Sequence, residues 1–445
     1  MANTYIQRTA SSAGNQKKWT FSAWVKKSSI GADAGIFGFP ENSTNYLRIR
    51  FKGGDNIQID NDYNDTLTMN LRTNAVYRDT NAWYHIVVAY DSAQATDTNR
   101  VKLWVNNEQV TSWDSPSYPS QNANTRLGNS GANIQVGATV GNEYFNGVMS
   151  HVHYCDGYAY APSDFGETDS TTGQWKIKTS PSGLSYGTNG FWWLKDSIAT
   201  TDHSSNSNVF SVGGGTLTKT EDCPSNVFAV GNNLIGRHSN GADLLPSYSN
   251  AGLTALADGS AWKIFKSTLG ASSGKYYAEF KWISDSNTRY AYVGIYDEDN
   301  YANKVTGYPY VSDIANSVGY YSENGVYYTG GSSTSFGNSY SSNNIIGCAV
   351  DLDNNKLYFS KDGSWQGGGN PTNGTGGISI TANRTYTFGL QLYAVGSIVF
   401  SANFGNGYFG TTAVSSAGTN ASGNGIFEYD VPTGYTALST KGLNT

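Results

Sequence analysis

The chain has 445 residues, of which 38% are hydrophobic and only 14% are charged, and its formal net charge is −6. Because a single hydrophobic core stops growing at roughly 250–300 residues, the length predicts two domains. The acidic balance argues against a nucleic-acid-binding surface, and the short apolar runs exclude a membrane-spanning helix, which needs roughly 18 apolar residues.

The first half of the chain is rich in predicted β-strands. Apolar residues stand at every second position over 21–25 and again over 47–51, which is typical of half-buried strands. Residues 83–90 are largely apolar on both faces, as expected of a central strand in a sandwich. The alternation over 101–105 ends at Asn106-Asn107, a pair that tolerates the positive φ of a tight hairpin turn.

The second half continues in the same way, and no window of about a dozen residues carries a helical period. The sequence therefore predicts an all-β chain of two antiparallel β-sandwich (jelly-roll-like) domains. The strands expected in this half cover residues 274–283, 291–296, 345–352, 356–360 and 397–404.

A change in composition marks the boundary between the domains. Strand-like sequence ends near residue 195 and gives way to a polar stretch rich in Gly, Ser and Asn. We predict a first domain at 1–200, a linker at 201–228 and a second domain at 229–445.

The three cysteines, Cys155, Cys223 and Cys348, are too few for a disulfide framework and are not paired at C-x-x-C spacing. We expect free thiols in a protein folded in a reducing cytoplasm. The first residues lack the basic-then-apolar pattern of a secretion signal, which agrees with that expectation.

Each half of the chain contains a set of motifs in a distinctive order. The first half has residues 19–25 (WTFSAWV), 83–91 (WYHIVVAYD), 101–106 (VKLWVN) and 145–152 (FNGVMSHV). With these motifs it resembles a concanavalin A-like, laminin-G-like module. The second half has residues 274–280 (GKYYAEF), 292–295 (YVGI), 318–321 (VGYY), 346–353 (IGCAVDLD), 357–363 (LYFSKDG) and 400–405 (FSANFG). With these motifs it resembles a SPRY domain, which is also a β-sandwich.

Four connecting segments are similar to proteins of tailed phages that infect marine bacteria: residues 77–83, 164–168, 220–226 and 432–438. In that group, modules of these two kinds occur together on virion appendages. The resemblance implies a virion structural protein, assembled in the host cytoplasm and bound to other virion proteins of the tail or capsid. It implies a tail fibre or spike component that binds a host-surface glycan or protein, or alternatively a capsid decoration or head fibre with an architectural role. By analogy we expect a symmetric homo-oligomer such as a trimer.

The sequence predicts no catalytic site. Retaining glycosidases need two carboxylates about 5 Å apart. No predicted strand carries the Glu-x-Asp-x-x-Glu arrangement that glucanases of this fold use. An acid pair formed by Glu108 and Glu143 across the sandwich remains the alternative. The G-x-S-x-G match at 270–274 precedes a strand rather than a helix, so it is not a nucleophile elbow.

Two segments contain metal-ligating residue types. Asp60, Asp62 and Asp65 stand at the start of a calcium-loop-like segment, but Asp65 replaces the glycine that an EF-hand requires. A calcium ion and a solvated turn are both compatible with this pattern, and no other cofactor is predicted. His151 and His153, at i and i+2 on a predicted strand, could ligate a transition metal or simply pack on the sheet.

The abundance of Tyr, Ser, Gly and Asn is typical of binding surfaces, because Tyr offers rigid amphipathic area and the others offer adaptable hydrogen bonds. Sugars suit the same mixture. The alternative for each aromatic residue is that it packs in its own core or against another subunit. The loop 301–310 is one candidate, and the individual ligand-binding candidates are Trp113, Tyr118, Tyr321, Tyr327, Tyr328 and Tyr340.

Overall fold

The computed structural model describes residues 3–131, 133–140, 142–195, 201–233, 244–302 and 310–444. The chain divides into two compact units, Met1–Lys219 and Thr220–Thr445. Each unit is a β-sandwich whose strands pair almost entirely in antiparallel fashion, which confirms the predicted fold class. Among the described residues, no helix combines the length and the apolar composition that a membrane-spanning segment requires.

The first unit is built from two large sheets. One has the order β17-β1-β10-β3-β4-β5-β6, and the other has the order β16-β13-β2-β7-β8-β9. The strands are β1 Tyr5–Thr9, β2 Lys18–Lys27, β3 Ala34–Asn42, β4 Asn45–Phe51, β5 Ile57–Asp62, β6 Leu67–Arg72, β7 Tyr84–Asp91, β8 Val101–Val105, β9 Glu108–Gln109, β10 Asn133–Val136, β11 Ala138–Thr139, β12 Glu143–Tyr144, β13 Gly147–Asp156, β14 Gly166–Thr168, β15 Trp175–Ile177, β16 Phe191–Trp193 and β17 Ser211–Gly214, with 3₁₀ turns at Asp97–Asn99 and Pro162–Asp164.

The alternation seen in the sequence fills the core between these sheets. Leu47, Ile49 and Phe51 point inward from β4 and are fully buried. Strand β7 lies between β2 and β8 in its sheet, and both of its faces are buried, since Val88 lies in the main core and Val87 packs with Phe165 and Trp192 on the other side. Asn106 and Asn107 both have positive φ and join β8 to β9 in the expected tight turn.

The structure places residues 201–219, which the composition predicts as part of a linker, within the first unit. Strand β17 extends the first sheet by pairing with β1. The buried Asp202 carboxylate accepts the backbone N–H groups of Trp192 (2.9 Å) and Asn208 (2.8 Å). Hydrogen bonds to Asp202 and the burial of Phe210 in the main core together hold this polar stretch in the first unit.

The second unit also consists of two large sheets. One has the order β18-β19-β31-β21-β26-β27-β28, with β29 added beside β27 and β34 beside β21, and the other has the order β20-β30-β22-β23-β24-β25. The elements are β18 Ser247–Ser249, β19 Thr254–Asp258, β20 Trp262–Ala271, β21 Lys275–Asp285, β22 Arg289–Asp297, α1 Glu298–Ala302, β23 Val318–Tyr321, β24 Val326–Thr329, β25 Ser332–Ser335, β26 Ile345–Asp351, β27 Lys356–Lys361, β28 Ser364–Trp365, β29 Ile378–Ser379, β30 Tyr386–Ala394, β31 Ser397–Asn403, β32 Tyr408–Phe409, β33 Thr412–Ala413 and β34 Thr436–Ala437, with a 3₁₀ turn at Gly442–Asn444.

A C-terminal strap, residues 427–437, covers the outer face of the first of these sheets. Its buried side chains Phe427, Val431 and Tyr435 pack against Tyr277 and Tyr358 of that face. The buried Glu279 carboxylate holds the strap by accepting backbone N–H groups from residues 428 (2.9 Å) and 429 (2.8 Å). The strap gives this sheet a second apolar layer outside the main core.

All three cysteines lie among the described residues and are free thiols. Burial raises the pKa of the Cys155 and Cys348 thiols, whereas Cys223 is only partly buried. Because the thiolate is the reactive form, we expect Ellman's reagent to titrate only Cys223 in native buffer and all three thiols after unfolding. Fast reaction of two or three thiols in the native protein would contradict this arrangement.

Candidate functional site

A shallow, open cleft of about 740 Å³ lies on the first unit where four chain segments meet: residues 13–17, residue 124, residues 156–158 and residues 187–188. The cleft is lined by the polar or aromatic residues Asn15, Gln16, Lys17, Asn124, Asp156, Tyr158 and Thr188, together with Ala13 and three glycines.

Asp156, the last residue of β13, organises the cleft. Its side chain is buried, and its carboxylate accepts the backbone N–H of Asn15 (2.6 Å) through Oδ1 and that of Asn189 (3.0 Å) through Oδ2. Two glycines allow the loops to approach so closely. A Cβ on Gly14 would lie 2.1 Å from the Asp156 carboxylate, and a Cβ on Gly187 would lie 2.0 Å from its carbonyl oxygen. One buried carboxylate thus fixes the distance between loops far apart in sequence.

Tyr158 gives the cleft an exposed aromatic surface. The residue is 41% exposed, and its ring stacks on that of Tyr160 with centroids 5.8 Å apart. The Thr20 hydroxyl donates to the Tyr158 carbonyl (2.7 Å) and accepts the Tyr160 N–H (2.8 Å), which holds both residues against β2. The Tyr158 ring is therefore held in place beside the polar side chains of the cleft.

Trp113 and Tyr118, two of the predicted ligand-binding residues, are not part of this cleft. Both are partly buried and pack against the main core of the first unit. Trp113 also forms a backbone bridge with Thr73 next to β6. Their rings cover the edge of the hydrophobic core.

The four predicted tyrosines of the second unit divide into two environments. Tyr321 and Tyr328 lie together on the outer face of their sheet, where both contact Tyr292, with centroids 4.5 Å and 5.7 Å from its ring. Tyr327 packs against the main core. Tyr340 is buried there, and its hydroxyl donates to the carbonyl of Tyr320 (2.7 Å) and lies 3.1 Å from that of residue 291. Residues 303–309 of the candidate loop 301–310 lie outside the described residues.

The structure does not assemble Asp60, Asp62 and Asp65 into a metal site. The Asp60 carboxylate is buried on β5 and accepts the Arg48 Nε–H at 3.1 Å. Asp65 lies in the following turn with a positive φ. Within the described ranges, no group of three or more His, Cys, Asp and Glu side chains is arranged to hold a metal ion.

His85, His151 and His153 are buried in the first unit. A β-bulge between residues 150 and 153 breaks the regular i, i+2 register expected for His151 and His153. The His153 ring stacks on Trp192, and its Nδ1 lies 2.9 Å from the Tyr186 hydroxyl. Burial lowers the pKa of His85 to about 3. Because the Trp175 indole N–H donates to His85 Nδ1 (3.0 Å), the ring proton is on Nε2.

The two carboxylates considered for a hydrolase do not form a pair. Glu143 lies on β12, where its carboxylate contacts the Arg50 guanidinium and accepts a hydrogen bond from the Thr139 hydroxyl (2.8 Å). Glu108 is exposed on β9 at the edge of the other sheet. Glu143 is thus paired with an arginine rather than with a second acid.

Sequence reasoning did not identify Asn15, Asp156 or Tyr158. The local signal was weak, consisting of an Asp-Gly pair at a strand end followed by Tyr-Ala-Tyr. The loops that complete the cleft lie 141 and 33 positions from Asp156, so only the folded sheet brings them together.

Comparison with known proteins identifies both domains. Residues 1–159 match the family model of the concanavalin A-like lectin/glucanases superfamily, and residues 275–371 match that of the SPRY domain. The chain therefore contains a concanavalin A-like, laminin-G-like domain followed by a SPRY domain, which confirms both resemblances. A comparison with curated proteins gave no match.

Several solved structures show partial similarity. The SPRY domain of human HERC1 is 15% identical, and the match covers 34% of this chain and 87% of that chain with a TM-score of 0.26. A second human SPRY domain is 18% identical, with coverage of 34% and 91% and a TM-score of 0.26. Domain 4 of an extracellular arabinanase from Geobacillus stearothermophilus, in complex with arabinotriose, is 16% identical, with coverage of 34% and 65% and a TM-score of 0.26.

Proposed function

We propose that the chain is a non-catalytic carbohydrate-binding protein and that its first domain holds a glycan in the cleft around Asn15, Asp156 and Tyr158. The exposed Tyr158 ring beside an amide-lined cleft carries this proposal. A pyranose ring has apolar C–H faces that pack on an aromatic ring and hydroxyl groups that need neutral hydrogen-bonding partners. The superfamily of the first domain includes lectins, which supports the same function.

The hydrogen bonds of the Asp156 carboxylate support the proposal that the cleft binds a glycan without hydrolysing it. Asp156 is the one carboxylate in the described lining, and both of its oxygens accept backbone N–H groups. Glycosidases need a pair of carboxyl groups roughly 5–9.5 Å apart. A single structural carboxylate suits recognition better than proton transfer.

The proposed setting is the surface of a phage particle, assembled in the host cytoplasm. The support is the similarity of four connecting segments to appendage proteins of tailed phages. A tail fibre or spike would use the cleft to bind a host-surface glycan, whereas a capsid decoration would use it weakly or not at all. Cryo-electron microscopy of intact particles separates the two, since a fibre gives density at the tail and a decoration gives density at capsid lattice points.

Tyr158→Ala is expected to weaken glycan binding about tenfold or more, because it removes the apolar surface on which the sugar packs. The measurement is a glycan array to identify a bound oligosaccharide, followed by calorimetric titration of that oligosaccharide against both proteins. Leu67→Ala is the matched control, because Leu67 is 49% exposed on β6 and does not line the cleft. Equal affinity of Tyr158→Ala and unchanged protein would place the site elsewhere, and an array with no bound glycan would overturn the proposed function.

A further inference from the structure

Two side chains of the cleft, Asn15 and Lys17, present donors in particular to a ligand. Asn15 Oδ1 accepts the backbone N–H groups of Lys17 (2.9 Å) and Lys18 (3.0 Å), which leaves the Nδ2 group of the exposed amide to donate to a ligand. Gln16 and Asn124 present further amides to the same cleft. Carboxylate and sulfate oxygens only accept hydrogen bonds, so they can pair with the Asn15 Nδ2 group and with the amide nitrogens of Gln16 and Asn124.

Lys17 adds an exposed positive charge to this lining. Its ammonium forms no ion pair with any residue in the described part of the chain. The next residue, Lys18, differs because its ammonium lies 3.2 Å from the Asp91 carboxylate. Lys17 is therefore available to a ligand.

The carboxylate of the lining does not offset this charge at the cleft surface. Asp156 is 4% exposed, and its two oxygens are held by the N–H groups of Asn15 and Asn189. A ligand in the cleft can therefore reach the exposed Lys17 ammonium, whereas the Asp156 carboxylate is buried. The whole chain carries a net charge of −6, so this local cation differs in sign from the protein as a whole.

We infer that the cleft selects acidic glycans, which carry carboxylate or sulfate groups, and that Lys17 determines this specificity by pairing with the acidic group. The inference rests on the proposed function, since it names the class of glycan bound by the same cleft. A charge-assisted hydrogen bond to an exposed lysine changes affinity by about fivefold.

The experiment begins with a glycan array that contains neutral, carboxylated and sulfated oligosaccharides, probed with the full chain. The acidic oligosaccharide bound on the array is then titrated calorimetrically, together with its carboxyl-reduced or desulfated form, which identifies the anionic group. Lys17→Gln is expected to weaken binding of the acidic form about fivefold and to leave binding of the neutralised form unchanged. Lys17→Arg is expected to retain the preference.

Lys176→Gln is the matched control, because it removes one exposed lysine charge from the same domain outside the cleft lining. Exclusive binding of neutral glycans, or Lys17→Gln binding the acidic glycan as tightly as the unchanged protein, would overturn the inference while the proposed function stands. Absence of binding to every glycan would overturn both. Thermal unfolding of each variant verifies that the domain is folded.

Discussion

Asp55→Asn is expected to lower the free energy of unfolding of the first domain by about 3 kcal/mol. Asp55 Oδ1 lies 2.6 Å from the Lys27 ammonium, and the two side chains are only 4% and 2% exposed. The variant keeps the size of the side chain and tolerates the positive φ of residue 55, so it removes chiefly the negative charge. An ammonium without a counter-charge then remains inside the sandwich.

Other groups around Lys27 reduce this cost without abolishing it. Its ammonium also donates to the Tyr77 carbonyl (3.2 Å) and lies 4.4 Å from the centroid of the Phe51 ring. Neither group carries a charge, so neither replaces the carboxylate. The measurement is urea unfolding of the full chain, followed for the transition that the variant shifts.

Arg72→Ala provides the comparison, because Arg72 and Asp114 form an ion pair whose side chains are 45% and 39% exposed. Loss of that pair is expected to cost at most about 1 kcal/mol. Similar losses of unfolding free energy for Asp55→Asn and Arg72→Ala would show that the Lys27 ammonium is solvated, which would contradict its burial.

Glu279 is expected to make the second domain less stable as the pH rises from 5 to 8. Burial raises the pKa of Glu279 to about 7, although four hydrogen bonds to its carboxylate oppose that shift. The folded state therefore binds a proton more tightly than the unfolded state, in which the pKa is near 4.5. The stabilisation is complete below about pH 4.5 and is lost as the pH rises through about 7, by roughly 3 kcal/mol in total.

Glu279→Gln removes this titration and is the variant to compare. Its amide nitrogen would face a backbone N–H of the strap, so it is expected to be less stable than the unchanged protein at pH 5. The difference in unfolding free energy between the two proteins should shrink by roughly 2.5 kcal/mol between pH 5 and pH 8. A constant or growing difference, measured by urea unfolding at both pH values, would contradict the raised pKa.

Local patterns predicted the strands well. The alternation at Leu47, Ile49 and Phe51 specified both a strand and its buried face, because side chains alternate across a sheet. Asn106 and Asn107 specified a hairpin, because asparagine tolerates positive φ. These features depend on neighbours in sequence, and a single sequence contains that information.

Features that depend on distant contacts were not predictable in the same way. Tyr340 stands in a polar, loop-like segment, yet strands from elsewhere in the second domain bury its ring and bind its hydroxyl. The bulge before His153 changes the register without an evident sequence signal. The cleft at Asp156 exists only because the sheet brings remote loops together, so no local pattern in the sequence indicated it.

The position of the strap in the chain constrains folding during synthesis. The first domain is complete in sequence once β17 has been made, so it can fold while the ribosome is still translating the second. The outer layer over Tyr277 and Tyr358 instead requires residues 427–437, which are translated about 150 positions after β21. Until they emerge, the nascent second domain presents an uncovered aromatic sheet face to chaperones and to neighbouring nascent chains.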